Sequence, residues 1–274
     1  MFIEPATAAT ITWTAWENRS KLMPALKKLR YLLTHGRLQV AIFGPGGTGK
    51  TTLGQFLSGN LDLGFNATKY KQSINVEKFS LKGDLVCKLL VPPGQARRAI
   101  NTWPALYRNL AAGKSGGVIN VVSWGHHAFA EASYTETKYF KTGMTQEQFL
   151  VDYLEACRER ELEIIRDLTP RLLDAKNKIW MITVVAKQDL WWNERAKVKQ
   201  HYAEGEYNRH IERITQERGL QNFSHEYLSA APVINNLITG AGETLATTTG
   251  GYDQNIQYAH LQVLLDTITN FANR

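Results

Sequence analysis

The sequence predicts an α/β fold with a mainly parallel sheet, and three observations predict it. Short apolar runs that stop at glycine or at polar residues alternate with longer segments of helical period. A glycine-rich turn, Gly44-Pro45-Gly46-Gly47-Thr48-Gly49-Lys50-Thr51, joins one such run to one such helix. The 274 residues are 43% hydrophobic and 21% charged, which are globular proportions and set aside disordered, collagenous and coiled-coil classes.

In chain order, Leu22, Leu26, Leu29 and Leu33 recur at steps of 4, 3 and 4, one face of a helix. Ser20 can cap that helix, and Pro24 falls in its first turn, where a missing N–H costs little. Lys21, Lys27, Lys28 and Arg30 make its other face basic. Such a helix suits either a membrane surface or packing of its leucines on the domain, the commoner use. Leu38–Phe43 reads as a buried strand, and a helix runs from the glycine turn through Leu57. Asn75–Leu81 and Asp84–Leu90 are strand-like and pair as a hairpin about Lys82-Gly83. Val118–Ser123 and Ile179–Val185 are further buried strands. Gln146–Leu168 is the longest helix, with Thr145 and Gln148 at capping-box spacing and Phe149, Tyr153, Ala156 and Cys157 opening its apolar stripe. Asn193–Arg218 reads as one polar helix, and Tyr227–Ala230 as the end of a short strand. A Gly/Thr-rich loop spans Thr239–Gly251, and Tyr258–Phe271 closes the chain as a helix.

Lys+Arg minus Asp+Glu is 32 − 25 = +7, a mild basic excess that suits an anionic ligand or simply keeps the surface soluble. The two cysteines, Cys87 and Cys157, form no CxxC or Cys/His cluster, so neither a disulfide framework nor a structural zinc site is expected and the compartment is reducing. Met1 to Ala15 does not read as a secretory signal, and no apolar run approaches a membrane span. A cytoplasmic location follows as the expectation. No motif specific for nucleic acid occurs.

Gly44 to Thr51 fits GxxxxGK[ST] at every fixed position, in the strand–loop–helix context that the motif requires. Glycines let the backbone curl so that successive N–H groups cradle phosphate oxygens. The helix that follows presents its positive end to the same anion. Gly44, Gly46, Gly47, Thr48 and Gly49 form the cradle, Lys50 reaches the β- and γ-phosphates, Thr51 offers a hydroxyl to Mg²⁺ and Thr52 meets an α-phosphate. The ligand is a nucleoside triphosphate, and the loop alone does not distinguish ATP from GTP.

Three more short motifs stand at predicted strand ends. Pro93-Gly94-Gln95 follows the hairpin, Ala186-Lys187-Gln188-Asp189 ends an apolar strand, and Ser229-Ala230-Ala231 ends the last strand. In this order they resemble the DxxGQ, NKxD and SA[KLA] elements of Ras-like small GTPases, over roughly Leu38 to Ala231. The Pro-Gly-Gln pair without Asp is most similar to bacterial MglA-type GTPases and, less closely, to the signal recognition particle receptor β subunit.

The resemblance implies a P-loop G domain, with a mainly parallel six-stranded sheet, one antiparallel strand and helices on both faces. It divides the chain into an N-terminal helical extension (1–37), a G domain (38–232) with an insertion near 125–143, and a Gly/Thr-rich loop with a C-terminal helix packing on the G domain (233–274). It further implies that Asp189 accepts from guanine N1–H and N2–H₂, that the Lys187 stem covers the base, and that Ser229 and Ala230 lie at the base, with the Ala230 N–H donating to guanine O6. Adenine lacks the donor pair that Asp189 would take, which is how such a site discriminates. In the same way the Gly94 N–H binds the γ-phosphate, Gln95 orients the attacking water beside Lys50, and Thr68 closes on Mg²⁺ and γ-phosphate, with Ser73 the second candidate. Arg97 and Arg98 either reach the phosphoryl group or are solvated.

The sequence departs from the family at two positions. Val91 stands where the family has the Mg²⁺-facing Asp, and Ala186 where it has the Asn that ties the base-reading loop to the phosphate loop. The insertion carries His126-His127, Tyr134, Tyr139 and Phe140 and suits partner contact or cover for the sheet better than metal binding. Trp191-Trp192 either caps the base or packs in the core. The expected function is a GTP-binding switch with slow GTP hydrolysis, stimulated by a regulatory or effector protein, with Mg²⁺ and GTP or GDP as ligands. The alternatives are a pseudo-GTPase scaffold with structural nucleotide, or a P-loop ATPase of another class, which would need an apolar run ending in Asp-Glu.

Overall fold

The computed structural model describes residues 20, 22–29, 31, 39–59, 77–80, 88–91, 104, 107–113 and 115–273. Helix α1 covers residues 22–29. Strand β1 is Gln39–Phe43, helix α2 Lys50–Leu57, β2 Glu77–Ser80 and β3 Lys88–Val91. Helix α3 covers 107–111, β4 is Ser115–Val122, α4 Gln146–Leu173 and β5 Ile179–Val185. Then come α5 (Gln188–Trp191), α6 (Arg195–Ala203), α7 (Glu206–Arg218) and β6 (Phe223–Ser229). A small hairpin of β7 (Leu237–Ile238) and β8 (Thr244–Ala246) precedes α8 (Gln254–Ala272).

Six strands form the main sheet in the order β2-β3-β1-β4-β5-β6. β2 runs antiparallel to β3, and the other neighbours are parallel. This is the expected α/β architecture. Side chains alternate faces along each strand with a period of two. Val40 and Ile42 of β1, Ile119 and Val121 of β4, and Trp180, Ile182 and Val184 of β5 meet the apolar faces of α1, α2 and α8. Ala41, Phe43, Val118, Val122, Ile179, Met181 and Val185 meet α4 and α7 on the other side. Both faces are covered, which is why every residue of β5 is buried and all but Thr183 are apolar.

Leu22, Leu26 and Leu29 of α1 are buried in the first of these cores, while Lys27 and Lys28 are exposed. The leucine face packs on the domain and does not meet a bilayer. Among the described residues no helix is long and apolar enough to cross a membrane.

The capping box at the start of α4 forms as its spacing predicts: Gln148 N donates to Thr145 Oγ1 (3.3 Å) and Thr145 N to Gln148 Oε1 (3.0 Å). Several boundaries differ from the sequence reading. Helix α4 runs through Pro170 to Leu173, because Leu168 and Leu172 are both wholly buried and hold the last turn on the sheet. The polar helix expected over 193–218 is two, α6 and α7, broken at Glu204-Gly205, where glycine makes continuation of a helix costly. Strand β6 is a full strand paired along β5 from Ile179↔Phe223 to Val185↔Ser229. The Gly/Thr-rich segment contains the β7–β8 hairpin, and α8 starts at Gln254, where Asp253 Oδ1 accepts from Ile256 N (2.9 Å). β2 and β3 pair antiparallel as expected, in the register Glu77↔Val91 to Ser80↔Lys88. The expected turn at Lys82-Gly83 lies outside the described residues.

If α1 is part of the core, Leu26→Ala destabilises the fold by about 2–5 kcal/mol. Lys27→Ala and Lys28→Ala stay within about 0.5 kcal/mol. Denaturant unfolding of the three variants measures both.

Candidate functional site

Parallel pairing sets the C-terminal ends of the central strands side by side: Phe43 pairs with Asn120 near the end of β4, and Val122 pairs with Val185, which pairs with Ser229. The segments leaving these ends, 44–50, 123–128, 186–189 and 230–235, therefore share one edge of the sheet, where open α/β sheets bind ligands.

The phosphate loop leaves β1. Gly44, Gly47 and Gly49 take φ of 138°, 82° and 98°, a region open to glycine and strained for other residues. Space is as tight as conformation. A Cβ on Gly44 would lie 2.1 Å from the Val121 carbonyl oxygen, and one on Gly47 2.5 Å from the Ala128 nitrogen. Thr48 is buried and its hydroxyl donates to Pro45 O (3.1 Å). Lys50 is 6% exposed, and its Nζ donates to the same carbonyl at 2.6 Å, so the ammonium lies along the loop rather than out in solvent. Thr51 and Thr52 are half-buried in the first turn of α2.

The second segment leaves β5. Ala186 N donates to Val122 O (2.7 Å), carrying the sheet pairing one residue further. Lys187 then takes a left-handed φ of 54°. Its Nζ donates to His126 O at 2.5 Å. Burial lowers the Lys187 pKa to about 8, with Asp189 partly offsetting the loss. Asp189 follows on α5 and is 1% exposed. Its Oδ2 accepts from Asn235 N (2.8 Å), while Oδ1 is buried without a hydrogen-bond partner. Burial raises the Asp189 pKa to about 6, against the pull of the Asn235 N–H and Lys187. Thr249 N donates to Asp189 O (2.7 Å), so the Gly/Thr-rich segment closes over this turn.

Ser229 and Ala230 reach the same place from β6. Ser229 Oγ accepts from Gln188 Nε2 (2.8 Å), and Gln188 Oε1 accepts from Tyr252 OH (3.3 Å). The Ala230 N–H donates to Val185 O (3.2 Å). Parallel pairing with β5 thus runs one residue past Ser229. Trp191 is buried with Nε1 donating to Ala186 O (2.8 Å), the packing role. Trp192 meets Tyr252 and His260 edge-on.

Sequence reading alone missed the segment that joins these two loops. Ala128 N donates to Gly47 O at 3.0 Å, and two residues earlier His126 O accepts from Lys187. Beneath it lies Glu161 of α4, wholly buried. Its Oε1 accepts from Ser123 N (2.8 Å), Ser123 Oγ (3.3 Å), Gly125 N (3.3 Å) and His127 Nε2 (2.9 Å), and Oε2 accepts from Tyr202 OH. Burial opposes the Glu161 charge, but the donors outweigh it and hold the carboxyl below its ordinary range. For His127, burial opposes the charge and the Cys157 and Glu161 side chains outweigh it, so its pKa is raised. The signal was present: Glu161 continues the four-residue steps Phe149, Tyr153, Cys157, on a stripe where a carboxylate must have partners. His126 and His127 point to different partners, Ser123 O and Glu161, and among the described residues no group of three or more His, Cys, Asp or Glu gathers for a metal. The aromatics of the insertion, Tyr134, Tyr139 and Phe140, pack with Phe129, Phe149 and Tyr153 against Leu237 and Leu245, covering the start of α4.

Thr68, Gly94 and Gln95, with Ser73, Arg97 and Arg98, lie outside the described residues. The Val91 position is the last residue of β3.

No protein-family model and no curated protein sequence matches the chain. Among solved structures, the chain is similar to one in a GTP-bound IFT22/74/81 complex of T. brucei, at 15% identity and a TM-score of 0.38, over 86% of this chain and 98% of that one. It is also similar to an ADP-ribosylation-factor-like GTP-binding protein, small COPII coat GTPase SAR1, from Encephalitozoon cuniculi in complex with GDP. There the identity is 13% and the TM-score 0.36, over 96% of this chain and 95% of that one. Likenesses this distant decide nothing about the site.

Because Asp189 holds its proton more tightly folded than unfolded, it lowers stability as pH rises from about 4 to about 6, and the loss persists above. Asp189→Asn removes this component. The stability difference, variant minus wild type, is expected to grow across that window and then level off, as read by denaturant unfolding at pH 4, 5, 6 and 7.

Proposed function

We propose that this edge of the sheet binds a guanine nucleotide with Mg²⁺ and that the protein is a GTP-binding switch with slow hydrolysis. The observation that carries the reading is the buried Asp189 carboxylate with an open Oδ1, at the same sheet edge as a complete phosphate loop. An unpartnered buried oxygen calls for a donor. Guanine N1–H and N2–H₂ supply donors, and adenine does not.

In this reading the backbone of Gly44, Gly46, Gly47, Thr48 and Gly49 binds the β-phosphate, and Lys50 exchanges its Pro45 contact for β- and γ-phosphate oxygens. Thr52 meets the α-phosphate. The base lies between the Lys187 stem and the turn closed by Ser229 and Ala230. The Thr51 hydroxyl fits Mg²⁺, a hard ion that keeps most of its waters and takes few protein ligands. Thr68 would add a second hydroxyl. Gly94 would bind the γ-phosphate and Gln95 orient the attacking water, the roles that resemblance to Ras-like GTPases implies; the Pro93-Gly94-Gln95 motif points within that family toward MglA-type members. A regulatory or effector protein that meets the Thr68 and Gln95 segments would read the nucleotide state.

Val91 supports a second reading, a pseudo-GTPase whose nucleotide is structural, since the last residue of β3 is a valine where the resemblance calls for a Mg²⁺-facing Asp. Multiple-turnover phosphate release separates the two. Release that falls at least about tenfold in Gln95→Ala supports the switch, and release that is absent or independent of Gln95 supports the scaffold.

Competition titration tests the guanine assignment. GDP is expected to bind at least about 100-fold tighter than ADP, and Asp189→Ala to bring the two within about tenfold of each other. Equal or tighter ADP binding by the wild type would overturn it.

A further inference from the structure

We propose that Glu161 is a positioning residue for the base-reading loop, acting through residues 123–128; the proposal rests on the guanine-nucleotide reading above. Ala186 has no polar side-chain atom to offer either loop. The connection between them is made by backbone groups of the intervening segment instead: Ala128 N to Gly47 O (3.0 Å) on the phosphate side, and His126 O to Lys187 Nζ (2.5 Å) on the base side. Both contacts require 126–128 to stay in place, and they lie in a segment without regular secondary structure.

What holds them is a carboxylate. Trp124 and Gly125 take φ of 54° and 79°, two consecutive left-handed residues. A tryptophan in that region persists only where its surroundings over-determine it. The N–H groups of Ser123 and Gly125 converge on Glu161 Oε1, and that of Trp124 on Tyr202 OH, which itself donates to Glu161 Oε2. Successive backbone N–H groups in such a turn make an anion-binding concavity. Here the anion is the protein's own Glu161, carried by the 28-residue helix α4. His127 Nε2 adds a fourth donor, and Tyr153 OH, from the same helix, donates to His127 O (3.2 Å). Residues 123–127 are thus fastened to α4 from below, while 126 and 128 face the two loops above. The phosphate loop has its own supports in β1, α2 and the Pro45 contacts. Among the described residues the Lys187 ammonium donates only to His126 O. Loosening Glu161 should therefore displace the base end more than the phosphate end.

Calorimetric titration with GDP and with tripolyphosphate, both in Mg²⁺, tests this on wild type, Glu161→Gln, Lys187→Met and the double variant. Thermal unfolding of each confirms the fold. Glu161→Gln is expected to weaken GDP about tenfold and tripolyphosphate less than about threefold. In the Lys187→Met background the same change should cost GDP less than about threefold, because the two residues act in one chain. Equal losses for both ligands, additive effects of the two changes, or undiminished GDP affinity in folded Glu161→Gln would each overturn the proposal. Should Glu161→Gln not fold, Tyr202→Phe is read by the same criteria, with an expected GDP loss of about threefold. A wild type that does not prefer GDP to ADP overturns the nucleotide reading and this role with it. A guanine-selective wild type whose variants do not shift overturns the role of Glu161 alone.

Discussion

The parallel register of β1, β4, β5 and β6 is the constraint on which the rest of the structure depends. It brings the C-terminal ends of the four strands to one edge, so that the segments leaving them, 44–50, 123–128, 186–189 and 230–235, are gathered there. Both faces of the sheet are occupied by helices whose apolar sides pack on it. The close approach of Gly44 to Val121 and of Gly47 to Ala128 follows from the same register, because β1 and β4 are neighbours and the segments leaving them have no room to diverge.

Two buried carboxylates at this edge show how partners, rather than burial, determine the state of a charge. Glu161 is completely enclosed, yet four donors converge on its Oε1 and the group stays ionised. Asp189 is as enclosed but has one backbone donor on Oδ2 and none on Oδ1, and its pKa moves up to about 6. Removing a carboxylate from water costs several kcal/mol, and only a full set of donors offsets it. Glu161 therefore belongs to the architecture, whereas Asp189 is left with capacity for a ligand. Its neighbour Lys187 is displaced in the complementary direction, to about 8, so the pair lies nearer to neutrality than two exposed charges would.

The C-terminal segment serves the site as well as the core. α8 packs Leu261, Leu264, Leu265 and Ile268 on the sheet, with Phe271 stacked on Trp180. The segment before it supplies Asn235 N to Asp189 Oδ2, Thr249 N to Asp189 O and Tyr252 OH to Gln188. A stretch that reads as a Gly/Thr-rich loop is in this way the outer wall of the turn at Asp189, and a truncation there would reach that turn as well as the fold.

What could be read from the residues alone was whatever depends on local sequence. The phosphate loop was legible because its glycines, Lys50 and Thr51 are adjacent and each answers a local geometric need. The capping box of α4 and the buried strands β1 and β5 were legible for the same reason, a short-range pattern with one physical solution. The extension of α4 past Pro170 was not, since burial of Leu172 weighs more there than local propensity. The site divided along the same line. Asp189 and Lys187 could be picked out by spacing, but not the open Oδ1, the Asn235 donor or the Lys187 contact with His126. Glu161 stood on an apolar stripe without a visible reason, because its donors come from Ser123, Gly125, His127 and Tyr202, between 34 and 41 positions away in the chain. The sequence by itself determined that a glycine-rich turn of the phosphate-loop pattern joins a strand to a helix in an α/β fold. Only the tertiary structure decided which buried charges are satisfied, because a hydrogen bond depends on which atoms meet in space, and that is set by strand register and helix packing rather than by neighbours along the chain.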